Sequence, residues 1–183
     1  MKTRQKAAQA PPLGKVSLKL WVLDLYAACL SNARDLLQEA ELLVSHGHAP
    51  RAYFLAFTAL EELGKSQVVA DYFNGLVSDA EFDAAFRDHA FKAAYINRYV
   101  QIPKDLDQEW FIEYDKGAAK RHVVDRGRAL YIERKPDNAP QLPKEEISIA
   151  NAQELIASAR KYLQAIQRME YLTERIGTKA FTK

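Results

Sequence analysis

The chain has 183 residues, with 26 Lys and Arg against 24 Asp and Glu and a formal net charge of +2. This balance excludes a strongly basic or acidic protein, and the single cysteine, Cys29, excludes a disulfide within one chain. The longest uncharged apolar stretch, Ala52 to Leu60, is far shorter than the ~20 residues of a membrane span, so a cytoplasmic protein without membrane contact is expected.

Helix formers dominate the composition, because Ala and Leu together number 48 and Val, Ile and Thr only 23. Apolar residues recur every three or four positions in the stretches between prolines, as in amphipathic helices. Ser78 and Glu81 have the spacing of a capping box at a helix start. Four long helices are predicted, over residues 18–44, 50–73, 78–101 and 148–176.

Residues 102–147 form a less regular insertion between the third and last long helices. A shorter helix is predicted over 109–128, an extended segment over 129–133, and a proline-rich loop over 134–144. The predicted fold is all-α, an antiparallel bundle of four to five helices in one domain over residues 17–177. A basic tail (residues 1–16) precedes this domain, and residues 178–183 follow it.

The second predicted helix is apolar on every side, and such helices are normally buried. Its few interior charges are Glu61, Glu62 and Lys65. Glu62 lies in the middle of an apolar stripe, where an ionised carboxylate is costly unless a donor reaches it. Glu61 lies about 100° away around the helix, and Lys65, one turn beyond it, suits an ion pair with Glu61.

The third predicted helix offers a partner for Glu62. His89 lies at the centre of its apolar stripe, and Lys92 lies one turn on, at the edge. Antiparallel packing of the two helices would bring Glu62 and His89 together. Two interpretations stay open: the pair fixes helix register without chemistry, or it opens to a cleft where the imidazole moves protons.

These residues resemble a known family. Glu61-Glu62-Leu63-Gly64-Lys65, followed by His89-x-x-Lys92, is similar to the AbiV family of abortive-infection proteins, which belongs to the HEPN-like helical proteins. The segment Arg128 to Glu133 and the entry into the last helix at Pro143 to Ser148 fit the same family. The resemblance implies an all-helical fold, a role in phage defence, and action on RNA or the translation machinery.

Many HEPN relatives are metal-independent ribonucleases whose signature is an Arg followed by four to six residues and then a His, and this signature is absent from the chain. Whether the protein is an enzyme therefore stays open. For RNA cleavage, the candidate general acid or base is His89 and its orienting partner is Glu62, with Lys65 or Lys92 stabilising the phosphorane charge. The full candidate catalytic set is Glu61, Glu62, Lys65, His89 and Lys92.

A second candidate site is a basic strip in the insertion. Its predicted RNA-binding residues are Lys116, Lys120, Arg121, Arg126, Arg128 and Tyr131, which combine phosphate-neutralising charges with a ring that stacks on bases. A solvated surface without a ligand explains the same charges. No metal site and no cofactor are predicted, and His46 and His48 are expected to lie exposed in a turn.

The sequence thus predicts an antiviral effector that acts on RNA or on a ribosome-associated target. The resemblance alone implies a homodimer, and a regulatory or phage protein is a further expected partner. The alternative is a non-catalytic helical interaction module whose polar cluster is structural and whose surface binds a protein.

Overall fold

The computed structural model describes residues 20–89, 92 and 116–171. In these residues the chain forms six helices and one two-stranded hairpin, so the all-α prediction is confirmed. Within the described ranges, no helix is both long and apolar enough to cross a membrane. The elements in chain order are α1 (Leu20–Ser45), α2 (Ala49–Phe73), α3 (Asp79–Arg87), α4 (Lys116–Leu130), β1 (Glu133–Arg134), β2 (Pro140–Gln141), α5 (Pro143–Glu146) and α6 (Ile149–Tyr171).

Helices α1 and α2 form an antiparallel pair because the turn between them is very short. Gly47 adopts a φ of +78°, a left-handed conformation that suits glycine, and Pro50 lies in the first turn of α2. His46 and His48 in this turn are exposed, as predicted. The predicted bounds of both helices agree with the structure to within two residues.

Helix α2 is the centre of the molecule and contacts α1, α3, α4, α5 and α6. Its fully buried side chains include Phe57, Leu60 and Leu63, which pack in one core with Leu37 of α1 and Leu155 of α6. Burial on several sides explains why α2 is apolar all round. Any charged side chain in its second half must therefore find a partner inside the protein.

Helix α3 begins with the predicted capping box, in which Ser78 and Glu81 each bond the other's backbone amide. The predicted end of this helix was wrong. Helix α3 stops at Arg87 instead of reaching residue 101, because Asp88 is extended, with φ −110° and ψ 113°. The Lys92 amide then donates to the Asp88 carbonyl (3.2 Å), so His89 and Lys92 lie in a separate helical turn. Residues 93–101 lie outside the described ranges.

The insertion is more regular than predicted. Ala129 and Leu130 close α4 instead of being extended, because the buried Ala129 packs into the core. The proline-rich segment forms the antiparallel β1–β2 pair, with Glu133 opposite Gln141, and then the single turn α5. The start of α6 agrees with the predicted start of the last helix.

Candidate active site

Glu61 lies on a buried side of α2. Phe57 precedes it by one turn and Val68 follows it by two, and both are fully buried. Only 3% of the surface of Glu61 is exposed. An ionised carboxylate at this depth requires hydrogen-bond donors or a positive charge close to it.

His89 supplies the first donor. Its Nδ1 lies 2.7 Å from Oε1 of Glu61. An ionised carboxylate can only accept, so the Nδ1–H of the imidazole donates and Glu61 fixes the orientation of the ring. Because the His89 side chain is 47% exposed, this ring connects a buried carboxylate to solvent. The bond at Nδ1 leaves Nε2 as the nitrogen available for proton transfer.

Lys92 supplies a positive charge on the other oxygen of the same carboxylate. Its Nζ lies 3.8 Å from Oε2 of Glu61, and its side chain is almost completely buried. Glu61 is thus held between an imidazole and an ammonium group. The short helical turn after Asp88 carries both partners, which fixes the imidazole and the ammonium relative to each other.

The predicted pairing of Glu62 with His89 was wrong, because Glu61 occupies that position. Glu62 is rotated about 100° around α2 and lies on its half-buried side, where it pairs with Lys65. The predicted Glu61–Lys65 ion pair was wrong for the same reason, since Lys65 pairs with Glu62. The five candidate residues therefore form two neighbouring groups: Glu61 with His89 and Lys92, and Glu62 with Lys65.

Cys29 of α1 joins the second group. Its thiol is buried close to the Glu62 carboxylate. Burial raises the pKa of the Cys29 thiol to about 11; the nearby Glu62 carboxylate adds to the rise and Lys65 opposes it. The thiol is therefore neutral near pH 7 and does not serve as a nucleophile. Cys29 is thus a buried core residue of α1.

Four aromatic side chains next to these groups were not singled out from the sequence. Trp21 of α1, Tyr72 of α2 and Phe82 and Phe86 of α3 lie in ring contact with one another. Lys65 Nζ lies 5.6 Å from the centroid of the Phe86 ring. The spacing of Phe82 and Phe86, one helical turn apart, was the available signal, and it suggested only a buried helix face.

The basic strip is partly occupied by contacts within the chain. The Arg126 guanidinium lies 5.2 Å from the Phe54 ring centroid. Arg128 lies within 3.9 Å of carboxylate oxygens of Asp125, Glu133 and Glu146. Tyr131 is 67% exposed. Lys116, Lys120 and Arg121 belong to α4, but their side chains fall outside the described part of the chain.

A metal centre would need several clustered ligands. Among residues 20–89, 92 and 116–171, no group of three or more His, Cys, Asp and Glu side chains could hold a metal ion. His46 in the α1–α2 turn has its Nδ1 2.8 Å from the carbonyl oxygen of Leu42.

No curated protein matches the chain, and no solved structure does. The family model of AbiV, one of the HEPN-like families, matches residues 22–164. This range covers most of the chain and includes every residue of the Glu61 group and of the Glu62 group. The chain therefore belongs to the AbiV family of HEPN-like abortive-infection proteins.

Proposed function

We propose that the protein acts in phage defence by cleaving RNA without a metal ion, with His89 as the catalytic base. One observation carries this proposal: the half-exposed imidazole of His89 is held at Nδ1, 2.7 Å from the buried Glu61 carboxylate. A buried carboxylate that fixes one ring nitrogen while the other stays available is the arrangement that general acid–base catalysis requires.

In the proposed reaction the nucleophile is the 2′-hydroxyl of the RNA. Nε2 of His89 takes the proton of this hydroxyl, and the 2′-oxygen bonds to the adjacent phosphorus. The bond from phosphorus to the 5′-oxygen of the next nucleotide then breaks, and a proton from the imidazolium returns through water to that oxygen. The products are a 2′,3′-cyclic phosphate and a free 5′-hydroxyl, so no other reactant is consumed.

The two lysines would have different roles. Lys92 is buried against Glu61 and offsets its negative charge, which also holds the carboxylate in place for His89. Lys65 is the more exposed of the two, with 16% of its side chain accessible beside Glu62. Lys65 is therefore the better placed to stabilise the charge that develops on the phosphorane.

The proposal is tested by incubating the purified protein with transfer RNA and with total RNA in the presence of a chelator. The wild type should cleave RNA to products that end in a cyclic phosphate. The variant H89A should be slower by about 100-fold or more, since general acid–base catalysis contributes ~10²–10⁴-fold. Substrates with a 2′-O-methyl group at the cleavage site should be resistant, because they lack the nucleophile.

The matched control is H46A, which removes another exposed histidine, in the α1–α2 turn, and should leave cleavage unchanged. Thermal unfolding of each variant shows whether it is folded. Absence of cleavage by the folded wild type, or equal rates for the wild type and H89A, would contradict the proposal.

A second candidate function rests on the near-complete burial of Glu61 and Lys92. Buried ion pairs in other proteins fix the packing of helices without any chemistry. On this account the protein is a non-catalytic module that binds a protein partner. It predicts that H89A, once shown to be folded, protects cells against phage as well as the wild type does.

A further inference from the structure

The aromatic platform, formed by Trp21, Tyr72, Phe82 and Phe86, has a rigid inner part. The rings of Tyr72 and Phe82 have their centroids 4.2 Å apart, and both pack against a small apolar cluster of Val68, Val77 and Ala85. The Tyr72 hydroxyl also donates to Asp79 (2.8 Å). These contacts fix the two inner rings.

The outer rings of the platform face solvent. Trp21 is 52% exposed and Phe86 is 39% exposed, and each contacts the central ring of Phe82, at 5.9 and 5.2 Å between centroids. Large aromatic side chains are seldom left this accessible, and exposed apolar patches commonly mark binding sites. A rigid base with accessible rings suits a flat ligand that stacks.

The charged side chains around the platform favour a nucleic acid as the ligand. Lys65, which pairs with Glu62, also places its ammonium group beside the Phe86 ring, so a cation lies at the edge of the platform. The acidic side chains of α3 are engaged within the chain: Asp79 accepts from Tyr72, Glu81 belongs to the capping box, and Asp83 pairs with Arg87 at 3.2 Å. Aromatic rings next to a cation are typical of sites that bind single-stranded nucleic acid.

The platform lies close to His89, the proposed catalytic base. Phe86 and His89 are three residues apart, so their backbones lie within about 10 Å of each other. We propose that the platform stacks the bases of single-stranded RNA next to the 2′-hydroxyl that His89 deprotonates. This inference rests on the proposed function for its substrate, and it adds that the RNA must be unpaired and that its bases, not only its phosphates, contribute to binding.

The test is fluorescence anisotropy with a labelled single-stranded oligonucleotide carrying 2′-O-methyl groups throughout, which cannot be cleaved. The wild type should bind it, while F86A and W21A should each bind about tenfold more weakly or worse, because base stacking on a ring contributes that much per base. F86L keeps an apolar side chain without the flat ring and should also lose affinity. The control L42A removes an exposed apolar residue of α1 outside the platform and should bind like the wild type.

Two further oligonucleotides separate stacking from charge. An abasic strand of equal length keeps the phosphates but loses all base stacking, and it should bind at least about tenfold more weakly, as should the same sequence in a duplex. Equal binding of the abasic strand, no binding by the wild type, or wild-type affinity in F86A, F86L and W21A would each overturn the inference. Cleavage that is independent of Phe86 would overturn the platform but keep the proposed function. Base-dependent binding without any RNA cleavage would keep the platform but overturn the proposed function.

Discussion

Glu61 and Glu62 are adjacent in the chain, yet they lie in different surroundings. Glu61 is nearly inaccessible and contacts two side chains that follow α3, His89 and Lys92. Glu62 is half-buried and contacts Lys65 of its own helix and Cys29 of α1. A rotation of 100° around α2 therefore separates a carboxylate that orients an imidazole from one that serves a local ion pair.

The difference shows which of the two groups is suited to chemistry. In the Glu61 group, the carboxylate and the Lys92 side chain are buried, while the imidazole of His89 is half-exposed. The accessible atom of this group is therefore Nε2 of His89. In the Glu62 group, the thiol of Cys29 is kept neutral and the accessible atom is the Lys65 ammonium. The first group suits proton transfer, and the second suits binding of an anion.

The largest effect expected from this comparison is on stability. E61A would leave Lys92 buried without its carboxylate and should lower the free energy of unfolding by about 3–5 kcal/mol, as is usual when a buried pair loses one partner. E62A breaks a pair whose side chains are 12% and 16% exposed, so Lys65 can still reach solvent, and it should cost less, about 1–3 kcal/mol. Urea unfolding followed by circular dichroism measures both values.

A double-mutant cycle sharpens this prediction. Replacing Lys92 by Met in the E61A background removes the unpaired ammonium group and should recover part of the lost stability. Equal losses in E61A and E62A, or no recovery in the double variant, would show that the two carboxylates do not differ as described.

A smaller effect is expected from Cys29 at high pH. The folded thiol has a pKa raised from 9.0 to about 11, so between these values the unfolded chain has lost the proton and the folded chain still holds it. The unfolded state then binds fewer protons, and stability falls as the pH rises through the folded pKa, by about 3 kcal/mol in total. Below pH 9 the thiol contributes no pH dependence.

The measurement compares urea unfolding of the wild type and C29A from about pH 8 to about pH 11. Other groups titrate in this range in both proteins, so the difference between the two curves isolates the thiol. Parallel curves would contradict the burial of Cys29 against Glu62.

Much of the fold could be predicted from local pattern. The apolar period of α1 and α6, the Gly47 and Pro50 signals at the first turn, and the Ser78 capping box all depend on neighbours in the chain, and the structure agrees with each. The end of α3 could not be predicted, because neither proline nor glycine marks the extended residue Asp88. The hairpin and the single turn α5 depend on how α4 packs against the core.

The residues of the candidate site could be selected from the sequence, but the pairing of Glu62 with His89 was wrong. Glu61, His89 and Lys92 stand out in the sequence as charged or polar residues in apolar surroundings. Because α2 is buried on several sides, its helical wheel has no polar side that shows where α3 lies. Glu62 was therefore as reasonable a partner for His89 as Glu61. The platform was missed because Trp21 belongs to α1, and only the fold brings its ring to Phe82.

The central claim is that Glu61, and not Glu62, holds His89 at Nδ1 and leaves Nε2 free. Nitrogen-15 NMR of the imidazole at about pH 8.5, where a free imidazole is neutral, tests it most directly. The account predicts that His89 carries its proton on Nδ1, that E61Q abolishes this preference, and that E62Q keeps it. A proton on Nε2 in the wild type, or a change of tautomer in E62Q but not in E61Q, would contradict the claim.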